Sequence, residues 1–168
     1  MTKASAELQV KAYDVIIVGA GPAGIFCALA LQEAAPDLRV LILEKGSDLA
    51  NRQCPLAKTR RCVNCTPCHT LCGWGGAGAF SDGKLTLTTK FGGSLSDYTG
   101  EEQLMTLIET ADDWYCRFGA PNQVYGTDEA VDRELRRRAA AADLVFIPAR
   151  IRHLGTEKCG EILAAARE

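Results

Sequence analysis

Cys62, Cys65, Cys68 and Cys72 place four thiols within eleven residues, CVNCTPCHTLC. The C-x2-C-x2-C-x3-C spacing is that of bacterial iron–sulfur loops, with Gly73 where a proline usually follows. Thiolates at i, i+3 and i+6 of a turning loop can converge on one centre, and four would complete a 4Fe–4S cube. In two-cluster proteins the fourth cysteine of this spacing serves the other cluster, so Cys54 competes with Cys72 as the fourth ligand. Zinc is a second reading, but only Thr66 and Pro67 separate the two pairs, where structural zinc sites usually leave a longer gap. A redox dithiol is a third, because C-x2-C is the thioredoxin-type spacing. Ordinary reduced thiols are the fourth. His69 sits inside the loop as a ligand, a proton donor or a plain solvent-facing side chain.

A second chemical motif precedes the cysteines. Gly19-Ala20-Gly21-Pro22-Ala23-Gly24 is G-x-G-x-x-G, set between an apolar β-branched run and an Ala/Leu-rich helical run. Gly19 permits the tight turn, Gly21 clears the backbone for a pyrophosphate, and Gly24 lets helix and strand pack closely. The helix start adds N–H groups and a positive dipole end for phosphate. Glu44 lies twenty residues after Gly24, at the end of the next apolar run, where a carboxylate accepts from ribose hydroxyls. A carboxylate there argues against a 2′-phosphate, and so against NADP. These mechanics alone do not separate FAD from NAD.

The opening DVIIVGAGPAGIFCALAL…VLILEKG resembles the N-terminus of FAD-containing oxidoreductases with two dinucleotide-binding folds. That resemblance implies that Gly19, Gly21, Gly24 and Glu44 hold the ADP half of FAD, and Pro22, Ala23 and Lys45 beside them are expected among the cofactor-binding residues. CVNCTPCHTLCGWGGAGAFSDGKLTLT, VYGTDE and IPARIRHLGTE are similar to a widespread family of FAD-dependent dehydrogenases, from about Tyr13 to the end of the chain. The resemblance implies FAD and oxidoreductase activity on a small-molecule substrate or electron donor, without naming one. FAD-dependent disulfide reductases also carry a cysteine pair after the first βαβ unit, with four intervening residues rather than two. The glycine stretch Gly73–Lys84, with Gly76 and Gly78, would let the backbone pass close to a flat ligand, and Trp74 and Phe80 could pack beside a flavin ring. One departure stands out: the later Gly-Asp segment that meets FAD in such proteins has no counterpart, since Asp82-Gly83 is reversed. The chain is therefore expected to be the first third or so of a family member. The rival reading is a non-catalytic, truncated metal-binding product.

The elements that must position these groups read as α/β. Tyr13–Val18 and Val40–Glu44 read as buried parallel strands around a helix from Pro22 to about Ala34, a right-handed crossover. Residues 12–46 would form the FAD-binding βαβ unit, 47–95 a Cys/Gly-rich cofactor loop, and 96–168 the start of a mixed substrate domain. A loop that long needs an organiser, and a bound cluster or cofactor would serve. Leu85–Thr89 reads as a short strand. From Glu101, Leu104, Leu107, Ile108, Ala111, Tyr115 and Phe118 make a helical apolar face with acids opposite, ended by Gly119 and Pro121. Thr127 is expected to cap a second helix, Leu144–Ile147 to form a strand, and Thr156 to cap a helix still running at Glu168. Cys27, Cys116 and Cys159 fall at helical positions as small core residues. His153, after Arg150 and Arg152, reads as an anion contact or an ordinary strand-end histidine.

The 168-residue chain carries a net charge of −2 and is 47% hydrophobic. It is large enough for a core and lacks the charge signature of nucleic-acid or membrane-surface binding. The short basic run Arg136–Arg138 reads as a solvated helix face. Met1–Lys11 is polar, with no export signal, and glycines interrupt the apolar run Val15–Gln32, so the expected location is cytoplasmic.

Overall fold

The computed structural model describes residues 12–168. They divide into two compact units that meet in sequence at Gly76 and Ala77, within the stretch expected as one loop.

In the first unit, β1 (Val15–Val18), α1 (Pro22–Ala34) and β2 (Val40–Leu43) form the expected βαβ crossover. The strands run parallel, with Val15 opposite Val40 and Val18 opposite Leu43. Asp14 and Arg39 pin this register from just outside the strands. The Asp14 N–H donates to the Arg39 carbonyl, and the Arg39 N–H and Nε both donate to Oδ2 of Asp14, each at 2.9 Å. Pro22 opens α1 with its φ already set and no N–H to satisfy. The strands are not buried on both faces as expected. Ile16 is 57% and Val18 84% exposed, because side chains alternate across the pleat and α1 covers only one side. Cys27 on α1 is likewise exposed rather than in a core. A 3-10 turn at Leu49–Asn51 and the four-residue α2 (Leu56–Thr59) follow.

The second unit holds β3 (Lys84–Thr86), α3 (Ser96–Thr99), α4 (Glu101–Arg117), β4 (Val124–Tyr125), α5 (Glu129–Ala140), β5 (Ile151–His153) and α6 (Thr156–Ala165). Its sheet is antiparallel in the order β3-β5-β4, with Arg152 opposite both Leu85 and Val124. The strand expected at Leu144–Ile147 does not form. That segment has no regular structure and is largely exposed, with Val145 at 89%, and the strand forms only from Ile151, where both neighbours offer a ladder. Asp128, not Thr127, caps α5, its Oδ1 accepting from the N–H groups of Ala130 and Val131. Gly155 precedes α6, Thr156 is its first residue, and the helix ends at Ala165. On α4 the expected apolar face holds except at Leu107: Leu104, Ile108, Ala111, Tyr115 and Phe118 are all at least half-buried. Leu107 is 47% exposed, while Asp112 is mostly buried and pairs with Arg152. Ala120, Leu154, Cys159 and Ile162 form the core, with Leu85, Tyr115, Cys116 and Phe118 packed on it. Among the described residues no helix is long and apolar enough to cross a membrane.

Candidate functional site

The glycine turn has the geometry its spacing demands. Gly19 has φ +102°, a conformation costly for any side chain, and a Cβ on Gly19 or Gly21 would meet nothing within 4 Å. A Cβ on Gly24 would strike the Gly19 carbonyl and lie 3.3 Å from Cγ2 of Ile17, so the third glycine is what allows α1 to sit on β1. No side chain caps α1, which leaves its first-turn N–H groups to an anion. An open cradle under an uncapped helix start fits a pyrophosphate.

Glu44 stands at the end of β2, beside that turn, and its bonding is richer than sequence reasoning foresaw. Oε2 accepts from the Ala20 N–H at 2.8 Å, and Oε1 accepts from the N–H groups of Gly46 and Gly73, each at 2.8 Å. A carboxylate has about four acceptor positions, so Oε2 keeps one for a ribose hydroxyl. The Ala20, Gly46 and Gly73 hydrogen bonds, with the charge of Lys45, hold the Glu44 carboxyl below the usual carboxylate range against the opposing effect of burial. Lys45 itself is exposed.

The glycine stretch docks onto the dinucleotide turn. The Gly75 N–H donates to the Ala20 carbonyl at 2.8 Å, and a Cβ on Gly76 would lie 3.2 Å from Cα of Gly21. Gly78 belongs to the second unit, in the 3-10 turn Gly76–Phe80. Trp74 and Phe80 likewise fall in different units.

The organiser of the long loop is a residue that carried no sequence signal, Arg52. It is 3% exposed, and its guanidinium donates to four carbonyls: His69 at 3.0 Å, Thr70 at 2.7 Å, Trp74 at 2.7 Å and Gly76 at 2.8 Å. Burial pushes its pKa down, while the charges of Glu44, Cys72 and Cys68 oppose that. Gly73 lets the chain pass, since a Cβ there would lie 2.6 Å from Cδ of Arg52. The motif spacing could not reveal Arg52, because all four partners are main-chain atoms.

The cysteines do not gather as a metal centre. Among the described residues, no three His, Cys, Asp or Glu side chains are placed to hold a metal ion. Cys54, Cys62, Cys65, Cys68 and His69 line one cavity of about 340 Å³, together with Pro55, Leu56 and Val63. Cys72 is not on that lining; it closes a turn, its N–H donating to the Cys68 carbonyl at 2.9 Å. Of the expected ligand set, Cys62, Cys65 and Cys68 share the cavity and Cys72 does not, while Cys54, the alternative fourth ligand, does. All eight cysteines are free thiols. Backbone hydrogen bonds from Leu71 and Thr70 hold the Cys68 thiol below the ordinary range, with the Arg52 charge and the Thr70 hydroxyl adding to them.

In the second unit, Arg152 is tied bidentately to Asp112, Nε to Oδ1 at 2.6 Å and Nη2 to Oδ2 at 2.7 Å, which makes it structural. His153 is exposed. A cavity of about 560 Å³ in that unit is lined by Thr88, Glu129, Asp132 and Arg150 among others, a mixed-charge lining that the motifs did not indicate.

A parallel βαβ unit with an open glycine turn, an uncapped helix start and a strand-end carboxylate defines a dinucleotide-binding domain of the FAD/NAD oxidoreductase class. A family model for pyridine nucleotide-disulphide oxidoreductases matches residues 13–104, more than half of the chain, and the chain belongs to that family. It is 41% identical over 83 residues to an uncharacterized protein of Clostridium beijerinckii, covering 49% of this chain and 15% of that protein. It is 44% identical over 48 residues to a probable electron transfer flavoprotein-ubiquinone oxidoreductase of Acinetobacter baylyi (26% of this chain, 8% of that one). It is 68% identical over 33 residues to a thiamine thiazole synthase of Uromyces fabae (20% and 10%). The chain thus matches only a small part of the length of these curated relatives.

Proposed function

We propose that the intact protein is an FAD-dependent oxidoreductase whose first unit holds the ADP half of FAD. One observation carries this: the open turn at Gly19 and Gly21 lies under the uncapped start of α1, with the Glu44 carboxylate beside it. The N–H groups of Ala23 and Gly24 would take the phosphates, and Oε2 of Glu44 a ribose hydroxyl, with Lys45 next to Glu44 in sequence adding positive charge. Pro22 presets the helix start, and Gly76 leaves no side chain against Gly21. FAD, when bound, supplies two-electron acceptance from a small-molecule hydride donor. Gly78 takes no part in this reading. Relatives whose names describe different chemistries share short matching segments with this chain, which supports a common cofactor unit rather than a common substrate. We place the protein in the cytoplasm, where eight free thiols stay reduced.

The cysteine cavity favours a second reading, a flavin-linked disulfide reductase. There the Cys68 thiolate would attack a substrate disulfide R–S–S–R′, forming Cys68–S–S–R and releasing R′S⁻. A neighbouring thiolate of the cavity would then attack Sγ of Cys68, closing a protein disulfide and releasing RS⁻, so two electrons pass from the thiol pair to the substrate.

Titration of the full chain with FAD, followed by flavin fluorescence, with ADP calorimetry beside it, tests the first reading. Stoichiometric binding of both, weakened in Gly21→Val, is the expected result. No binding of either ligand sinks it. Loss of two free thiols on mixing with a small disulfide would support the second reading, and an unchanged thiol count would end it.

A further inference from the structure

The same carboxylate that faces the dinucleotide turn also fastens the cysteine loop. Oε2 of Glu44 holds the Ala20 N–H, while Oε1 holds Gly73, the residue directly after Cys72. The two segments are packed without slack. A Cβ on Gly46 would run into the backbone of Cys72 and Gly73, and the Gly75 N–H is bonded to the Ala20 carbonyl. Arg52 carries the connection onward, since its guanidinium holds His69 and Thr70 on the cysteine side and Trp74 and Gly76 on the turn side. Turn, carboxylate, Gly73 and Arg52 form one continuous polar network.

We infer that Glu44 couples occupancy of the nucleotide turn to closure of the cysteine loop, so that a bound adenine nucleotide shields Cys65, Cys68 and Cys72, the partly buried loop thiols, while Cys62 stays exposed. This rests on the reading that the turn takes the ADP half of FAD. A ribose hydroxyl donating to Oε2 fills the last acceptor position of the carboxylate and fixes its rotamer. That rotamer is the one that keeps Oε1 on the Gly46 and Gly73 N–H groups. The nucleotide therefore favours the closed loop, and by linkage the closed loop favours the nucleotide. Phosphate alone reaches the helix start but makes no bond to Glu44, so it lacks this effect. The network regulates thiol access and makes Glu44 a positioning residue for the loop.

The test is iodoacetamide labelling of the full chain, read by mass spectrometry. Trypsin releases Cys62–Lys84, which carries all four loop cysteines, while Cys116 in the second unit serves as the reference thiol. Saturating ADP is expected to slow labelling of Cys65, Cys68 and Cys72, resolved by fragmentation of Cys62–Lys84, by about 5-fold or more relative to Cys116, an ordinary coupling strength. Inorganic pyrophosphate at saturation is expected to leave the rate unchanged. In Glu44→Gln one side of the side chain becomes a donor and cannot hold both Ala20 and Gly73, so ADP protection disappears. Simple steric shielding by ADP would persist in that variant and overturn the inference. Protection by pyrophosphate equal to that by ADP would overturn it without needing any variant. ADP that binds by calorimetry but leaves labelling unchanged overturns the coupling alone, and failure of ADP to bind removes both the coupling and the nucleotide reading.

Discussion

Arg52 and Gly76 lie 24 residues apart, yet Nη2 of the first donates to the carbonyl of the second at 2.8 Å, and the same nitrogen holds Thr70. One buried cation thereby replaces secondary structure across the cysteine loop. Its four carbonyl partners, at His69, Thr70, Trp74 and Gly76, come from a stretch that no strand pairs with.

Removing that guanidinium should release the loop. Arg52→Ala is expected to cost about 3 kcal/mol in urea denaturation, because buried acceptors lose charged donors together. Proteolysis at Arg60 and Arg61 should become fast. Arg52→Lys should recover little, since an ammonium cannot reproduce the planar fork. A Lys variant as stable as the parent would refute the account.

Gly21 and Gly24 should separate binding from folding. Gly24→Ala forces a methyl into the Gly19 carbonyl and should lower stability by roughly 1–3 kcal/mol. Gly21→Ala enters open space with φ −77°, so stability should shift by less than ~1 kcal/mol. Its methyl stands where a pyrophosphate approaches, and FAD affinity should drop about tenfold, or ~1.4 kcal/mol. Equal effects of the two variants on melting would contradict this geometry.

Acid should loosen the first unit early. Hydrogen bonds from the Arg39 side chain and then its backbone hold the Asp14 carboxyl at about 2, and Glu44 is also held below its usual range. Both folded values are depressed, so the stabilisation is complete above the unfolded values near pH 4 and fades as pH falls through the folded ones, which for Asp14 is about 2. Acid titration followed by circular dichroism should show a transition in that window for the parent. Asp14→Asn and Glu44→Gln should each flatten the pH dependence while lowering stability at neutral pH.

The second unit should depend on its buried ion pair. Asp112→Ala leaves the Arg152 guanidinium, with 9% of its side chain exposed, lacking its bidentate partner. A loss of about 3 kcal/mol is expected in denaturant melts, with partial recovery in the Asp112→Ala/Arg152→Met double variant. A single variant as stable as the parent would show the pair to be dispensable.

The βαβ unit was legible because its determinants are local. A β-branched run, a glycine turn, Pro22 at the helix start and a second apolar run each act over a few residues, and a parallel crossover of that length has one hand. The roles of Gly19 and Gly24 follow from backbone sterics alone, and they hold in the structure. Helix caps and short strands were less legible. Asp128 and Thr127 are both good caps, and β5 forms where β3 and β4 supply ladders rather than where Leu144–Ile147 is most apolar.

The cysteine loop was read from side-chain spacing, which suggested a metal as its organiser. Only the tertiary structure revealed that Arg52 and Glu44 tie the loop down, with four of its thiols and His69 around one cavity or beside it. The physical reason is that Arg52 binds carbonyls and Glu44 binds N–H groups. Every residue carries the carbonyl and nearly every residue the N–H, so only the folded path determines which of them a buried charge will meet.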